Sequence, residues 1–294
     1  MDDFVSIVEV GPRDGLQNEA QTLSVALRVE LIDRLAQCGI PVVEAGSFVS
    51  PKWVPQMTGT AEVLAAISTV PDTRYPVLVP NMQGLELAMA AGASEIAVFA
   101  AASESFSQRN TNCSISESMT RLEPVIQQAT TEGLPVRAYL SCVLGCPYDG
   151  EIEAEAVASL SEQLLHMGCN EVSLGDTIGV GTPAKANALI KTVELVVPVA
   201  QLAVHFHDTY GQALANILAC LDAGIRTVDS SVAGLGGCPY ANGASGNVAT
   251  EDVVYMMEGL GLETGIDLQA VAVTGDWISK QLQRANASKA GTAL

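Results

Sequence analysis

The sequence predicts an α/β fold, a single-domain (β/α)8 TIM barrel with a C-terminal helical extension. Eight short runs of β-branched or aliphatic residues alternate with longer stretches of helical spacing. Five of the helical stretches end in glycine, which suits a left-handed helix cap, and a strand follows each. The length of 294 residues suits one barrel, since about 250 are typical of this fold. The alternative is an open doubly wound sheet, but no Gly-x-Gly-x-x-Gly follows the first strand.

The predicted strands and helices alternate along residues 1–284, which we assign to one catalytic barrel domain. Leu27, Leu31 and Leu35 lie at the spacing of one helical face, which predicts a helix after the first strand. Residues 285–294 are expected to form a flexible C-terminal tail. The predicted strands are Val5–Val10, Val42–Ala45, Pro76–Val79, Glu95–Phe99, Val136–Ser141, Glu171–Leu174, Gln201–His205 and Thr227–Asp229.

The composition argues against several classes of function. A net charge of −19, from 33 acidic and 14 basic residues, excludes a surface for nucleic acid or anionic membrane as the main role. No stretch reaches the roughly 18 uninterrupted apolar residues of a membrane span. The seven cysteines are odd in number and irregularly spaced, which favours a reducing compartment. Because no basic, apolar leader is recognisable, the sequence predicts a cytoplasmic protein.

Polar residues follow the predicted strands at the end where a TIM barrel carries its active site. They comprise Arg13, Asp14 and Gln17 after the first strand, Glu44 and Ser47 at the second, Asp176 after the sixth, and His205 and His207 at the seventh. All of these groups therefore converge on one end of the predicted barrel. This convergence is stronger evidence for a site than any single motif.

Two of the three histidines indicate a metal site. Alternation along an extended strand puts His205 and His207 on one face, so that both imidazoles reach a common point. Two neutral imidazoles at one point usually share a metal, and the alternative is a pair of hydrogen-bonded histidines. With Asp14 and Asn247, the set gains a carboxylate and an amide oxygen. Such a set without thiolates suits Mg²⁺ or Mn²⁺.

A glycine-rich segment follows the eighth predicted strand. Residues 231–240 read SVAGLGGCPY, and the chain then continues to Asn247. The glycines give the backbone freedom just before the thiol of Cys238, and Pro239 stiffens it again. Taken alone, the segment fits equally a catalytic loop and a flexible surface loop with a stray cysteine.

Residues 231–240 also resemble the active-site signature of the 3-hydroxy-3-methylglutaryl-CoA (HMG-CoA) lyase family. The similarity covers most of the chain, from residue 5 to about residue 270. The paired Arg-Asp and His-x-His elements alone would indicate only the wider superfamily of metal-dependent lyases and Claisen-type synthases. Further segments that resemble the family are VGPRDGLQNE (10–19), SFVSPKWVPQM (47–57), SCVLGCPY (141–148), SLGDTIG (173–179) and HDTYGQALAN (207–216).

The resemblance implies cleavage of (S)-HMG-CoA to acetoacetate and acetyl-CoA, as in leucine breakdown, by a homodimer that binds one Mg²⁺ or Mn²⁺ ion per site. The implied metal ligands are Asp14, His205, His207 and Asn247. Catalytic or supporting roles are implied for Arg13, Glu44, Asp176 and Cys238. Substrate contacts are expected at Gln17, Ser47, Arg109 and Asn110. The acyl-CoA is the expected ligand, with no nucleic acid or membrane partner.

These residue types agree with the implied chemistry. Arg13 can stabilise a developing enolate oxygen, and Cys238 is a plausible acid that protonates the enolate carbon. The proton acceptor at the substrate hydroxyl stays open between Asp176 and a metal-bound histidine. Two other functions also stay open. One is a related acyl-CoA lyase, aldolase or Claisen-type synthase with another substrate, and the second is a non-catalytic metal-binding scaffold.

Overall fold

The structure of the chain is a computed structural model that describes residues 3–237 and 246–294. Strands and helices alternate along most of it, as the sequence predicts. The strands are β1 (Ser6–Glu9), β2 (Val42–Val43), β3 (Gly46–Ser47), β4 (Val77–Leu78), β5 (Ile96–Ala101), β6 (Val136–Ser141), β7 (Glu171–Asp176), β8 (Leu202–Phe206) and β9 (Thr227–Ser230). The helices are α1 (Val25–Gln37), α2 (Thr60–Ala66), α3 (Met82–Ala90), α4 (Glu104–Thr111), α5 (Ile115–Thr131), α6 (Ala154–Met167), α7 (Pro183–Val193), α8 (Ala213–Asp222), α9 (Thr250–Leu260), α10 (Leu268–Gln281) and α11 (Lys289–Ala293).

All strands of the described residues pair in parallel, in the order β2-β1-β9-β8-β7-β6-β5-β4-β3. The two ends of this order, β2 and β3, are parts of the second predicted strand, Val42–Ala45, and the residues after it. Between them, Glu44 N donates to Glu9 O on one side and Ala45 N to Pro76 O on the other, both at 2.9 Å. The second strand therefore bridges β1 and β4 and closes the barrel. The predicted TIM barrel is confirmed.

The glycines that end the helices adopt the conformation predicted for them. Gly39, Gly92, Gly133, Gly168 and Gly224 all have φ between 78° and 119°. This region of backbone conformation is strained for any residue with a Cβ. At Gly39 an added Cβ would also lie 2.4 Å from the carbonyl oxygen of Gly265. These turns return the chain to the next strand and so keep every strand parallel.

The core lies between the sheet and the surrounding helices and is mostly aliphatic. In α1, Leu31, Ile32 and Leu35 are fully buried against the sheet, as the helical spacing predicts. The inside of the barrel is different, because it holds charged groups. Arg137 of β6 contacts Asp229 of β9, and since β7 and β8 separate these strands in the sheet, the contact crosses the barrel interior.

The C-terminal helical extension packs beside the barrel. Residues 285–294, expected from the sequence to be a flexible tail, include α11 in the structure. The carboxylate of Asp252 in α9 accepts hydrogen bonds from Ser288 Oγ at 2.8 Å and from Ala290 N at 2.7 Å. This carboxylate satisfies backbone groups at the start of α11, which gives the segment defined contacts. Among the described residues, no helix is both long and apolar enough to cross a membrane.

Candidate active site at the barrel mouth

The turn after β1 places an arginine and an aspartate over the barrel opening. Glu9, the last residue of β1, accepts a hydrogen bond from Gly11 N at 2.7 Å and so fixes the start of the turn. Arg13 then donates from Nε to Glu44 Oε2 and from Nη1 to Asp14 Oδ1, each at 2.7 Å. Arg13 and Glu44 are both buried. The guanidinium is therefore held rigidly between two carboxylates.

Arg13 and Glu44 form an ion pair that is buried away from water. Burial raises the pKa of Glu44, although the neighbouring guanidinium opposes the rise. Burial alone would lower the pKa of Arg13, but Glu44 and Asp14 raise it above its usual range. The Cζ atom of Arg13 lies 5.1 Å from the ring centre of Tyr139. Tyr139 Oη and Glu44 Oε1 are buried without a hydrogen-bond partner among the described residues, so both are available to a ligand.

Asp14, His205 and His207 form a cluster at the same place. Each offers a ligand atom, and these atoms lie within 4.8 Å of one another. The two imidazole ring centres are 5.5 Å apart, with the planes tilted by 47°. His207 Nδ1 is buried and has no hydrogen-bond partner in residues 3–237 or 246–294. The structure thus brings together three of the four predicted metal ligands.

The charge states in this cluster suit a cation. Burial alone would raise the pKa of Asp14, but Arg13, His205, His207 and a hydrogen bond from Asn247 lower it to about 2. Burial and the neighbouring His205 lower the pKa of His207 to about 4, so this imidazole is neutral at pH 7. Asp14 therefore supplies a negative charge and His207 a lone pair, both of which a divalent metal requires.

His205 is oriented by an aspartate that the sequence reasoning missed. His205 Nδ1 lies 3.1 Å from Asp229 Oδ2, and His205 Nε2 lies 3.9 Å from Asp14 Oδ2. Burial alone would lower the pKa of His205, but Asp229 and Asp14 raise it overall. A carboxylate behind a ligating histidine is common at metal sites, where it fixes the tautomer and the ring orientation.

Asn247, the fourth predicted ligand, lies beside the cluster with its amide nitrogen turned toward Asp14. Nδ2 donates to Asp14 Oδ2 at 2.8 Å and to Leu235 O at 3.3 Å. The backbone of Asn247 forms an antiparallel bridge with His207, which brings the loop after β9 against β8. To bind a metal ion, Asn247 would have to present its amide oxygen instead of its nitrogen. This requires rotation of the Asn247 carboxamide and loss of its hydrogen bond to Asp14.

Asp176, at the end of β7, is fully buried and faces its own loop. Its Oδ1 accepts from Val180 N at 3.2 Å and its Oδ2 from Gly181 N at 2.8 Å. Burial raises its pKa, and the backbone amides and His205 oppose the rise. The carboxylate lies near His205, but its hydrogen bonds shape the loop. Its predicted role as the proton acceptor stays a prediction.

The four predicted substrate contacts differ in their surroundings. Gln17 Oε1 is buried without a partner in the described part of the chain, so it is available to a ligand. Ser47 is buried, and its hydroxyl donates to Leu78 O and accepts from Val49 N, which ties it to the backbone. Arg109 and Asn110 are exposed in α4. The Cζ atom of Arg109 lies 4.2 Å from the ring centre of Tyr148.

Cys238 lies outside the described residues, but the base of its loop is well defined. Glu9 accepts from Val232 N at 2.9 Å, and Glu251 accepts from Ala233 N at 2.9 Å. Burial raises the pKa of Glu9 to about 7 and that of Glu251 to about 8. Two buried carboxyl groups thus fix the turn that leads into the glycine-rich segment.

The C-terminal extension holds the same turn from the other side. Arg284 Nη2 donates to Gly234 O at 3.2 Å, and Ala287 N donates to Ala233 O at 3.2 Å. Arg284 also pairs with Glu19, and Glu19 Oε1 accepts from Gly236 N at 3.3 Å. The loop after β1 and the C-terminal extension therefore both hold this turn in place through hydrogen bonds.

The functional-site neighbours that sequence reasoning missed are ionisable residues inside strands. Glu9, Arg137 and Asp229 lie within the predicted strands Val5–Val10, Val136–Ser141 and Thr227–Asp229. A charged residue in a buried parallel strand needs a partner, because an unpaired buried charge is costly. That rule was the signal available in the sequence, although it does not identify the partner.

Comparisons with known proteins agree with this architecture. The family model described as HMGL-like matches residues 4–278. The mitochondrial hydroxymethylglutaryl-CoA lyase of Arabidopsis thaliana is 58% identical over 99% of this chain, which spans 62% of that protein. The cytoplasmic 3-hydroxy-3-methylglutaryl-CoA lyase of Rattus norvegicus is 57% identical over 99% of this chain, which spans 85% of that protein.

Solved structures show the same similarity. Hydroxymethylglutaryl-CoA lyase from Pseudomonas aeruginosa superposes with a TM-score of 0.98 at 55% identity, covering 100% of this chain and 98% of that one. An HMG-CoA lyase from Acinetobacter baumannii, solved with coenzyme A and 3-methylmalate, gives 0.94 at 34% identity, covering 99% and 95%. With its family-model match over residues 4–278, the chain belongs to the HMGL-like family.

Proposed function

We propose that this protein is an HMG-CoA lyase, which cleaves (S)-HMG-CoA to acetoacetate and acetyl-CoA. The observation that carries the proposal is the cluster of Asp14, His205 and His207 beside the buried Arg13–Glu44 pair. These groups lie at the barrel end where TIM-barrel enzymes hold their active sites. Relatives that are 57–58% identical over nearly the whole chain carry the name of this enzyme.

The cluster fits one Mg²⁺ or Mn²⁺ ion. Asp14, His205 and His207 would hold it, with Asn247 as a fourth ligand through its amide oxygen. When bound, such an ion polarises the substrate hydroxyl and lowers its pKa. The fit is chemical: one carboxylate, two imidazole nitrogens and no thiolate among the described groups match a hard or borderline cation.

The residues around the cluster divide the remaining work. Cleavage transfers the proton of the 3-hydroxyl to a base, breaks the C2–C3 bond and moves its electron pair into the thioester enolate. Arg13, held by Glu44 and Asp14, presents a fixed positive charge for the enolate oxygen. Asp176 or a metal-bound histidine accepts the hydroxyl proton, and Cys238 donates a proton to the enolate carbon, releasing acetyl-CoA.

Substrate binding is assigned to groups at the rim and just inside it. Gln17, with its unpartnered buried oxygen, is suited to a polar group of the acyl chain. Ser47 positions the loop that follows β3, and Arg109 and Asn110 of α4 face the solvent where a long acyl-CoA enters. A positive side chain there also offsets the net charge of −19, which would otherwise repel an anionic ligand.

An assay of the purified protein tests the function directly. Acetoacetate release from (S)-HMG-CoA is followed after EDTA treatment and again after Mg²⁺ or Mn²⁺ is restored. We expect activity to disappear with the chelator and to return with the metal. Formation of both products separates a lyase from a synthase or an aldolase with another substrate. A protein that releases no acetoacetate with Mg²⁺ and none with Mn²⁺ would exclude the proposal.

The setting of the enzyme is also proposed. We place it in the cytoplasm as a homodimer acting in leucine breakdown. The cysteines of the described residues are free thiols, which suits a reducing compartment. Relatives are named both mitochondrial and cytoplasmic, so fractionation of cells must decide the location. Light scattering coupled to gel filtration gives the mass, and 30.6 kDa would contradict the dimer.

A further inference from the structure

We propose that Asp229 is a positioning residue, which fixes His205 as the Nδ1–H tautomer and so directs the Nε2 lone pair at the metal site. The claim that Nε2 faces a metal rests on the proposed function. The claim that His205 carries its hydrogen on Nδ1 concerns the protein alone. Asp229 comes from β9, beside β8, which carries His205, and the two residues are paired in register.

The carboxylate of Asp229 is the centre of a buried hydrogen-bond network. Arg137 Nη2 donates to Oδ1 at 2.5 Å and Arg137 Nη1 donates to Oδ2 at 3.0 Å. Ser173 Oγ also lies 2.8 Å from Oδ2, as a donor. A bidentate guanidinium holds its partner as a carboxylate, which accepts hydrogen bonds and donates none. Asp229 therefore offers His205 only an acceptor.

The tautomer follows from this acceptor. His205 Nδ1 approaches Asp229 Oδ2 to 3.1 Å, and two acceptors at that distance would repel each other. Nδ1 must carry the hydrogen, so a neutral His205 has its lone pair on Nε2. That nitrogen is the one that lies toward Asp14, at 3.9 Å from Oδ2. In the neutral form of His205, the network therefore presents a coordinating nitrogen to the metal site.

Asp229 is itself fixed from the far side of the barrel. Arg137 Nε donates to Glu171 Oε2 at 2.6 Å, so the guanidinium has a carboxylate on each side. The Cζ atom of Arg137 lies 4.9 Å from the ring centre of Tyr139. The ring of Tyr139 also meets His205 edge-on, with 5.9 Å between the ring centres. These contacts restrict both the carboxylate and the imidazole that it holds.

The Asp229→Asn variant separates positioning from simple packing. Its single carboxamide oxygen is drawn to Arg137, which leaves the NH₂ group facing His205. An NH₂ donor there favours the Nε2–H tautomer, which has no lone pair toward the metal. The tautomer is read from long-range ¹H–¹⁵N spectra of ¹⁵N-histidine in the metal-free protein, at a pH high enough for His205 to be neutral. His166→Gln assists assignment, because the chain has only three histidines.

The matched control is Glu171→Gln. It removes the other carboxylate from Arg137 without touching His205, and the Glu171 side chain is 23% exposed. We expect both variants to melt earlier. Only Asp229→Asn should change the His205 tautomer and raise the Mn²⁺ dissociation constant, measured by electron paramagnetic resonance, by about 10–100-fold.

The outcomes are distinct. A wild-type His205 in the Nε2–H form overturns the inference, and so does an Asp229→Asn protein that keeps both the tautomer and the Mn²⁺ affinity. If Asp229→Asn does not fold, the wild-type spectrum still decides the tautomer. If the spectrum shows Nδ1–H but the protein cleaves no HMG-CoA, the proposed function fails and the assignment of Asp229 stands.

Discussion

Arg13 and Glu44 form a buried ion pair that joins the turn after β1 to the interruption of the second strand. Arg13 Nε and Glu44 Oε2 lie 2.7 Å apart, and the Glu44 side chain is fully excluded from solvent. The backbone of Glu44 helps to close the barrel by hydrogen bonding to Glu9. One residue therefore serves both closure of the barrel and orientation of the arginine.

Replacing Arg13 with methionine should lower kcat by about 10²–10³, the usual cost of losing one preorganised group that stabilises an oxyanion. Methionine fills much of the same space but carries no charge. Steady-state acetoacetate release measures the effect. Arg28→Met is the control, because Arg28 is also buried but donates to Thr58 O and Thr60 Oγ1. An Arg13→Met enzyme with a normal kcat would contradict the proposed role.

Mn²⁺ should stabilise the protein against heat through Asp14. A ligand that binds only the folded state adds about 2.7 kcal/mol at a free concentration of 100 times its Kd. Asp14→Asn should abolish the metal-dependent rise in Tm, because it removes the charge from the cluster. His166→Gln should keep the rise, since His166 lies exposed in α6. Equal metal-dependent shifts in both variants, measured by calorimetry, would remove Asp14 from the ligand set.

Cys238→Ala should lose turnover without losing metal. The removal of a general acid costs about 10²–10⁴ in kcat. The Mn²⁺-dependent rise in Tm should remain, because the ligand cluster does not use this thiol. Cys220→Ala, at a buried thiol of α8, controls for the loss of a cysteine elsewhere. Normal turnover in Cys238→Ala would exclude the thiol as the acid.

The raised pKa of Glu9 should make the free energy of unfolding depend on pH. Its pKa rises from 4.5 to about 7 in the folded protein, chiefly through burial. Between these values the unfolded chain binds fewer protons at this site than the folded chain does. The contribution of Glu9 to stability is therefore complete below pH 4.5 and is lost as the pH rises through about 7.

The test compares urea unfolding of wild type and Glu9→Gln across that pH range. The free energy of unfolding of the variant should fall less steeply with rising pH, since glutamine does not titrate. Glu155→Gln, an exposed position in α6, should follow the wild type. Parallel curves for wild type and Glu9→Gln would show that Glu9 does not titrate there.

Most of the barrel could be predicted from periodicity, because a parallel strand covered by helices is a short apolar run with a glycine or a proline before it. The division of the second strand at Glu44 could not be predicted. It arises because the first half of this strand pairs with β1 and the second half pairs with β4. The position of His205 and His207 on one face followed from strand alternation alone. The ion pair between Arg137 and Asp229 could not be predicted in this way, because it joins strands that are not adjacent in the sheet.

The same limit applies to Asp176 and Asn247. Their residue types suit a base and a ligand, but their hydrogen bonds to Gly181 and Asp14 depend on how two loops fold. A sequence pattern identifies which groups reach the barrel mouth. It does not specify which oxygen or nitrogen each group presents there.

The proposed metal ligands span the contact between the first strand and the last two strands. Asp14 follows β1, His205 lies in β8, and Asn247 follows β9, so that the hydrogen-bonded pair of Asp14 and Asn247 is separated by 233 positions. A chain whose first and last strands have not yet met has the ligands but no site. We therefore expect tight Mn²⁺ binding in a refolding experiment to appear only after β1 has paired with β9.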